Sequence, residues 1–156
     1  TDIRPERVAE ICATHPGVAA VAPDAIYDQP CDIFSPSALG GVLNDETIPR
    51  LRCAIVAGSA NNQLAERRHG DLLYEAGILY APDYVINAGG LIQLADELLG
   101  FHPERARRKV AALYDLLLRI FAISREEGIP TCLAADRLAE QRIEQIGRLG
   151  RIYVPE

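Results

Sequence analysis

The chain has 156 residues, of which 49% are hydrophobic and 24% are charged, and its formal net charge at pH 7 is −6. This composition is typical of a globular domain that is long enough to bury a core of its own. The acidic balance argues against a nucleic-acid partner. No apolar run approaches the roughly 18 residues that a membrane span requires, and no signal-peptide pattern is visible, so we expect a cytoplasmic protein without a membrane partner.

The cysteines are scattered, without a Cys-x-x-Cys motif or a histidine at ligand spacing. They are Cys12, Cys31, Cys53 and Cys132. This pattern favours buried free thiols over disulfides or a zinc site. The chain contains no Met and begins at Thr1 in what reads as the end of a structural unit, so we interpret it as a piece of a longer protein.

The first half of the chain predicts short strands that alternate with helices. In chain order, the predicted elements are a helix over 5–14, a strand over 18–21, a strand over 31–34, a short helical crossover over 44–51, a strand over 53–57, a helix over 63–75 and a strand over 78–80. Short apolar runs without hairpin turns between them indicate parallel βαβ units, and therefore an α/β fold.

The second half of the chain changes from strands to helices. The predicted elements are a fourth strand over 84–87, a helix over 91–98, a long amphipathic helix over 104–126 and a last helix over 134–149. Two consecutive long helices after the strands would cover a face of the sheet or lead into another domain.

Three loops follow predicted strands and consist largely of small and amide residues. They are 35–40, 58–62 and 87–90. Because parallel strands place their carboxyl ends at one edge of a sheet, we expect these loops to meet and to bind a nucleotide-type ligand. Asn61 and Asn62 stand at a predicted helix start, where one Asn suffices as a cap, so at least one of the two is a candidate for facing the ligand. The alternative is that the small residues only form tight turns.

Few other polar residues are candidates for chemistry. Asp2 lies between an expected strand end and the first helix, where a dinucleotide fold carries an acid that binds the adenosine ribose, although an Asp before a helix is more often a cap. His69 lies inside a predicted helix, and we expect it to be structural or exposed rather than catalytic. No nucleophile–histidine pair, carboxylate pair or metal-ligand cluster is visible, so the sequence offers neither catalytic residues nor a metal site.

Three long segments resemble the C-terminal domain of the glutamate/leucine/phenylalanine/valine dehydrogenase family, and most closely its leucine and phenylalanine branch. They read CDIFSPSALGGVLNDETIPRL, IVAGSANNQLAERRHGDLLYEAGILYAPDYVINAGGLIQLADELLG and AADRLAEQRI. The resemblance extends from Thr1 to about Ile146. It implies a Rossmann-type parallel sheet whose first βαβ unit is missing, followed by long C-terminal helices.

The same resemblance implies two units and a reaction. Residues 1–101 would form a partial NAD-binding Rossmann domain, and residues 102–156 would form helices that pack on it and toward a missing N-terminal domain. The family carries out reversible, NAD-dependent oxidative deamination of L-amino acids to 2-oxo acids and ammonia. We therefore expect the parent protein to act on leucine-like or aromatic amino acids and to form a homo-oligomer through the missing domain.

The resemblance also implies site residues. Asp2 matches the acid at the adenine ribose, which favours NAD over NADP, and Asn62 matches an amide that faces both the nicotinamide ribose and the substrate, which leaves Asn61 a helix-start role. The implied cofactor-binding residues are Asp2, Ala38, Leu39, Ala60, Asn62 and Asn87. The implied substrate-binding residues are Asn62, Leu91 and Leu94.

The family's catalytic residues have no counterpart in this chain. Its two catalytic lysines and its catalytic Asp belong to the missing N-terminal domain, and Lys109, the single Lys, matches neither lysine. We therefore expect residues 1–156 alone to be inactive and to bind NAD poorly. Two alternatives stay open. The first is a non-catalytic domain that binds a nucleotide or a partner protein. The second is a glutamate-type dehydrogenase, which would need a cationic side chain to pair with the substrate carboxylate, and Leu91 and Leu94 offer none.

Overall fold

The computed structural model describes the backbone of residues 1–150 and the side chains of residues 1–148. Residues 151–156, which the second predicted unit included, lie outside the described residues. The helices are α1 (Pro5–Thr14), α2 (His69–Glu75), α3 (Asp83–Ile86), α4 (Gly89–Glu97), α5 (Pro103–Glu127) and α6 (Thr131–Gly150). The strands are β1 (Ile33–Phe34), β2 (Ile55–Val56) and β3 (Leu79–Tyr80), and 3₁₀ turns span Asp24–Asp28 and Ile48–Arg50.

The three strands form a parallel sheet in the order β1-β2-β3. Ile33 pairs with Ile55, and Ile55 pairs with Leu79, so the three carboxyl ends lie level with one another. This α/β architecture with long C-terminal helices confirms the predicted fold class. Among the described residues β1 pairs with β2 alone, and its Ile33 side chain is 54% exposed.

The apolar core consists of two clusters. The first lies around the sheet and consists of Leu43, Ile48, Val56, Leu73, Ile78 and Tyr80. The second, formed by Val85, Ile120, Ala134 and Ala135, joins α3 to α5 and α6. The Thr131 hydroxyl, at the start of α6, also donates to the Tyr80 carbonyl at 2.6 Å, so the C-terminal helices are anchored directly to the end of β3. The boundary between two units near residue 101 stays a prediction.

The sequence assigned two strands wrongly. Residues 84–87 were predicted as a strand, but Asp83–Ile86 form a helical turn in which the Asn87 N–H donates to the Asp83 carbonyl at 2.9 Å. A short apolar run fits a buried strand and a buried helical turn equally well, and an acid in the first turn, Asp83, is typical of a helix start. Residues 18–21 also form no strand, because no neighbouring segment of the described chain pairs with them.

The helix that the sequence begins near Gln63 begins instead at His69. Leu64 instead forms a parallel bridge with Leu43, and the residues between this bridge and His69 form bends and turns. The Leu43 N–H donates to the Gln63 carbonyl, and the Ala65 N–H donates to the Leu43 carbonyl. The two Asn residues before Gln63 therefore cannot cap a helix, and the helix-start role predicted for Asn61 is wrong.

Candidate functional site

The loops after β1 and β2 are packed against each other at the carboxyl edge of the sheet. The Ala60 N–H donates to the Pro36 carbonyl at 3.0 Å. Gly58 lies so close to the same proline that a Cβ at this position would stand 2.0 Å from the Pro36 carbonyl oxygen. Gly58 is therefore required for this contact rather than for a special backbone angle. The two loops form a single surface, as the sequence predicted.

A second glycine pair brings the β1 loop to Asn62. The Gly41 N–H donates to the Asn62 carbonyl at 2.8 Å. A Cβ at Gly40 would lie 2.7 Å from the Asn61 carbonyl oxygen and 2.8 Å from that of Asn62. Only glycine permits backbones to approach this closely. The Gly40-Gly41 segment thus supports one side of the turn that carries the two adjacent amides.

Three of the predicted cofactor residues line one cleft of about 400 Å³ beside the β1 loop. These residues are Asp2, Ala38 and Leu39, and all three are exposed. One Asp2 carboxylate oxygen accepts from the Arg4 N–H at 2.8 Å, and the Arg4 side-chain nitrogen Nε lies 3.7 Å from the same oxygen. The volume falls within the range of natural small-molecule sites. The cleft is thus open, lined by small and apolar groups, and carries one carboxylate.

The turn at Asn62 is held by a buried carboxylate that the sequence did not reveal. Asn62 has φ 51°, in the left-handed region, and its N–H donates to Oδ2 of Asp83 at 2.7 Å. The other oxygen, Oδ1, accepts from the Tyr80 hydroxyl at 2.7 Å. Burial, together with the neighbouring Asp83, raises the pKa of Tyr80 far above its usual value, so this hydroxyl stays a donor.

A buried amide braces the same loop from inside. The Gln63 side chain is fully buried, and its Nε2 donates to the Gly58 carbonyl at 2.8 Å and to the Ala60 carbonyl at 3.0 Å. The sequence placed Gln63 in a helix and so missed this role. A polar residue next to a run of small residues was the available signal, because buried backbone carbonyls in such a loop need donors.

Asn87 lies at the same surface, but it follows a helical turn, α3, and not a strand as predicted. Its Nδ2 donates to the Asn61 side-chain oxygen at 2.8 Å and to the Ala60 carbonyl at 3.3 Å. Asn61 is thus engaged with Asn87. The structure therefore brings Ala60, Asn62 and Asn87 together, although the third of the predicted loops begins at a helix end.

The two predicted substrate residues lie on α4, the helix that follows Asn87. Leu91 is 71% exposed and Leu94 is 61% exposed, and their spacing of three residues puts them on one face of the helix. Asp96, on the buried side of α4, accepts from Arg105 and from the His102 N–H, the latter at 2.7 Å. This ion pair fixes α4 to α5, so the exposed leucines project from an anchored helix.

The remaining candidates are structural. His69 is buried, and its Nδ1 accepts from the Glu66 N–H at 2.8 Å, as expected of a structural residue. Lys109 lies 4.0 Å from the Asp96 carboxylate. Within the described part of the chain no three His, Cys, Asp or Glu side chains form a metal site. Nor is any helix of those residues both long and apolar enough to span a membrane.

Residues 4–100 match the family model described as Glutamate/Leucine/Phenylalanine/Valine dehydrogenase. The chain therefore belongs to this family, which confirms the resemblance seen in the sequence. It is 59% identical to the leucine dehydrogenase of Thermoactinomyces intermedius, over 100% of this chain and 42% of that protein. It is 52% identical to the phenylalanine dehydrogenase of the same organism, over 89% of this chain and 38% of that protein.

A solved structure agrees with these sequence relatives. The L-tryptophan dehydrogenase from Nostoc punctiforme superposes with a TM-score of 0.90 at 48% identity, over 94% of this chain and 45% of that one. The chain thus spans less than half the length of each of these three proteins. The expected closeness to the leucine and phenylalanine dehydrogenases is confirmed.

Proposed function

We propose that residues 1–156 are the NAD-binding part of an L-amino-acid dehydrogenase. The reaction would convert an L-amino acid, NAD⁺ and water to a 2-oxo acid, ammonium, NADH and a proton, reversibly. The observation that carries the proposal is the joined surface of the loops after β1 and β2, with the Asn62 turn at one end and the Asp2 cleft at the other. Open parallel sheets bind ligands at this edge, and the relatives of this chain are named dehydrogenases.

The residues present fit an extended dinucleotide. The exposed Asp2 carboxylate offers an acceptor for ribose hydroxyls, and Ala38 and Leu39 offer a flat apolar wall along the cleft. Ala60, Asn62 and Asn87 would surround the nicotinamide ribose. When bound, NAD⁺ supplies the acceptor for the hydride that leaves the substrate Cα. The role of this chain's own residues is to hold and orient the cofactor.

NAD rather than NADP is proposed because Asp2 would repel a 2′-phosphate. Arg4, whose Nε lies 3.7 Å from that carboxylate, is the nearby group that would favour NADP if Asp2 were absent. The Asp2–Arg4 pair is exposed, so it is weak, and the carboxylate remains free to accept from a ribose.

For the substrate we propose a leucine-like amino acid. Leu91 and Leu94 would line the side-chain pocket, and their size favours a branched aliphatic group over a phenyl ring. They offer no cation for a glutamate side chain. We further propose that the protein is cytoplasmic and acts as a homo-oligomer, with catalytic lysines supplied by sequence outside these 156 residues.

The test uses the full natural chain that contains residues 1–156. NADH formation is followed by absorbance with leucine, phenylalanine and glutamate as substrates, with NAD⁺ and with NADP⁺. We expect turnover with leucine and NAD⁺ to exceed that with phenylalanine, with glutamate and with NADP⁺. A preference for phenylalanine contradicts the proposed substrate, and absence of NADH binding by calorimetry contradicts the proposed function itself.

A further inference from the structure

We propose that Asp83 is a positioning residue for the cofactor: its carboxylate fixes the left-handed turn at Asn62 and thereby aims the Asn62 side-chain amide at the nicotinamide end of the site. This inference rests on the proposed function. Asp83 itself is 8% exposed and lies behind the loop, so it acts through Asn62 and not by touching the ligand.

The Asn62 backbone is held on both sides of its Cα. Its N–H donates to Asp83, and its carbonyl accepts from the Gly41 N–H at 2.8 Å. Neither contact uses the Asn62 side chain, and the residue is exposed. A fixed backbone with an uncommitted amide on an open surface is the arrangement expected of a residue that orients a ligand.

The left-handed backbone conformation of Asn62 is intrinsically unfavourable. A left-handed backbone is disfavoured for a residue with a Cβ, although Asn tolerates it better than most residues do. A hydrogen bond from a backbone N–H to a carboxylate is about twice as strong as a neutral one and offsets that cost. The Asp83 contact is thus the interaction best placed to keep the turn in one conformation.

Tyr80 in turn orients Asp83. The hydroxyl of Tyr80 donates to Oδ1 of Asp83 at 2.7 Å, so the two carboxylate oxygens have separate partners. Tyr80 also belongs to the sheet core, and its carbonyl accepts from the Thr131 hydroxyl. The Asn62 turn is therefore connected through one carboxylate to β3 and to the start of α6.

The experiment compares variants of the full natural chain that contains these residues. Asp83→Ala removes both acceptors, whereas Asp83→Asn keeps one acceptor for the Asn62 N–H and offers a donor to the Tyr80 oxygen. Tyr80→Phe removes the hydroxyl and leaves the Asn62 contact. Asp115→Ala, at an exposed position of α5, is the matched control. NADH affinity is measured by calorimetry, and hydrogen exchange of the 58–65 segment by mass spectrometry.

We expect Asp83→Ala to weaken NADH binding roughly tenfold or more and to speed exchange in the 58–65 segment, since a buried charge-assisted hydrogen bond is lost. Asp83→Asn should stay within about threefold of wild type, because one hydrogen bond to the turn persists. Tyr80→Phe should weaken binding clearly less than Asp83→Ala does, because the Asn62 contact persists although Asp83 loses its second partner. Asp115→Ala should bind as wild type does. If Asp83→Ala does not fold, Asp83→Asn carries the test: exchange in the 58–65 segment should be faster than in wild type, because a neutral amide oxygen holds the Asn62 N–H less strongly than a carboxylate does. Unchanged exchange in Asp83→Asn would then contradict the inference.

Several results would overturn the inference. Wild-type affinity in a folded Asp83→Ala protein excludes a positioning role while leaving the proposed function intact. Equal loss in Asp83→Asn, or equal loss in Tyr80→Phe, indicates a disturbed core rather than a lost contact to Asn62 and also excludes it. If the wild-type chain itself binds no NADH, the proposed function fails first, and this inference fails with it.

Discussion

The substitution Gly58→Ala most directly tests the packing between the loop after β1 and the loop after β2. Gly58 is not in the left-handed region, so an alanine would suffer no backbone strain and would report only the contact with Pro36. Its Cβ would stand 2.0 Å from the Pro36 carbonyl oxygen, whereas real contacts stay beyond 3.0 Å, so the loops must separate by about 1 Å. That movement breaks the 3.0 Å bond from the Ala60 N–H to the same oxygen.

The expected magnitude combines two costs. Overpacking costs about 1–3 kcal/mol, and a buried N–H left without its acceptor costs about 1–3 kcal/mol, so the free energy of unfolding should fall by roughly 2–6 kcal/mol. Urea denaturation measures this fall. The matched control is Gly90→Ala in α4, where a Cβ meets nothing within 4 Å, and it should stabilise by up to about 1 kcal/mol. A Gly58→Ala protein within about 0.5 kcal/mol of wild type would refute the packing described above.

Three further predictions concern charge and thiols. On the proposed function, Asp2→Ser should raise the affinity for NADPH relative to NADH, and an unchanged ratio in calorimetry contradicts the role of Asp2. Arg105, with the His102 N–H, lowers the pKa of the Asp96 carboxyl, so this group adds stability above pH 4 that is lost as pH falls through its lowered pKa. In Asp96→Asn the free energy of unfolding, measured against pH, should therefore fall less steeply at acid pH than in wild type. The same pH dependence in both proteins would contradict this. Cys31 is exposed, whereas burial raises the pKa of Cys53, so a disulfide reagent at pH 8 should label Cys31 first.

The fold was predictable from the sequence wherever hydrophobic spacing was unambiguous. Helix α1 matches its predicted bounds, and α5 and α6 differ from theirs by at most three residues. The strands over 31–34, 53–57 and 78–80 were placed correctly but are shorter in the structure. The errors fall on 18–21, on 84–87 and on the start of α2. At α2 long-range hydrogen bonds to Leu43 decide between conformations of similar local preference, and at 84–87 a short apolar run fits a strand and a helical turn equally well.

The location of the candidate site was also predictable, because small residues after successive apolar runs mark the carboxyl edge of a parallel sheet. The prediction of a buried thiol was wrong for Cys31, which is exposed and lies just before β1, a strand that pairs with β2 alone among the described residues. Gln63 was missed because the sequence assigned it to a helix, although the run of small residues beside it was a signal that its amide could serve their carbonyls. Asp83 was missed because the backbone N–H that it accepts from, at Asn62, lies 21 residues earlier in the chain.

The orientation of the Gln63 and Asp83 side chains bears on what the site can bind. Gln63 donates to loop carbonyls, and Asp83 accepts from the Asn62 N–H and the Tyr80 hydroxyl, so both side chains are used in holding the loop. The exposed group at this turn is the Asn62 side chain, a neutral amide that can orient a ligand by hydrogen bonds but not by charge. Asp2, an exposed carboxylate, lines the cleft beside the β1 loop. On the proposed function, this acid would accept from the adenosine ribose while the Asn62 amide binds the other end, so the dinucleotide would lie in one orientation, with its nicotinamide beside Asn62.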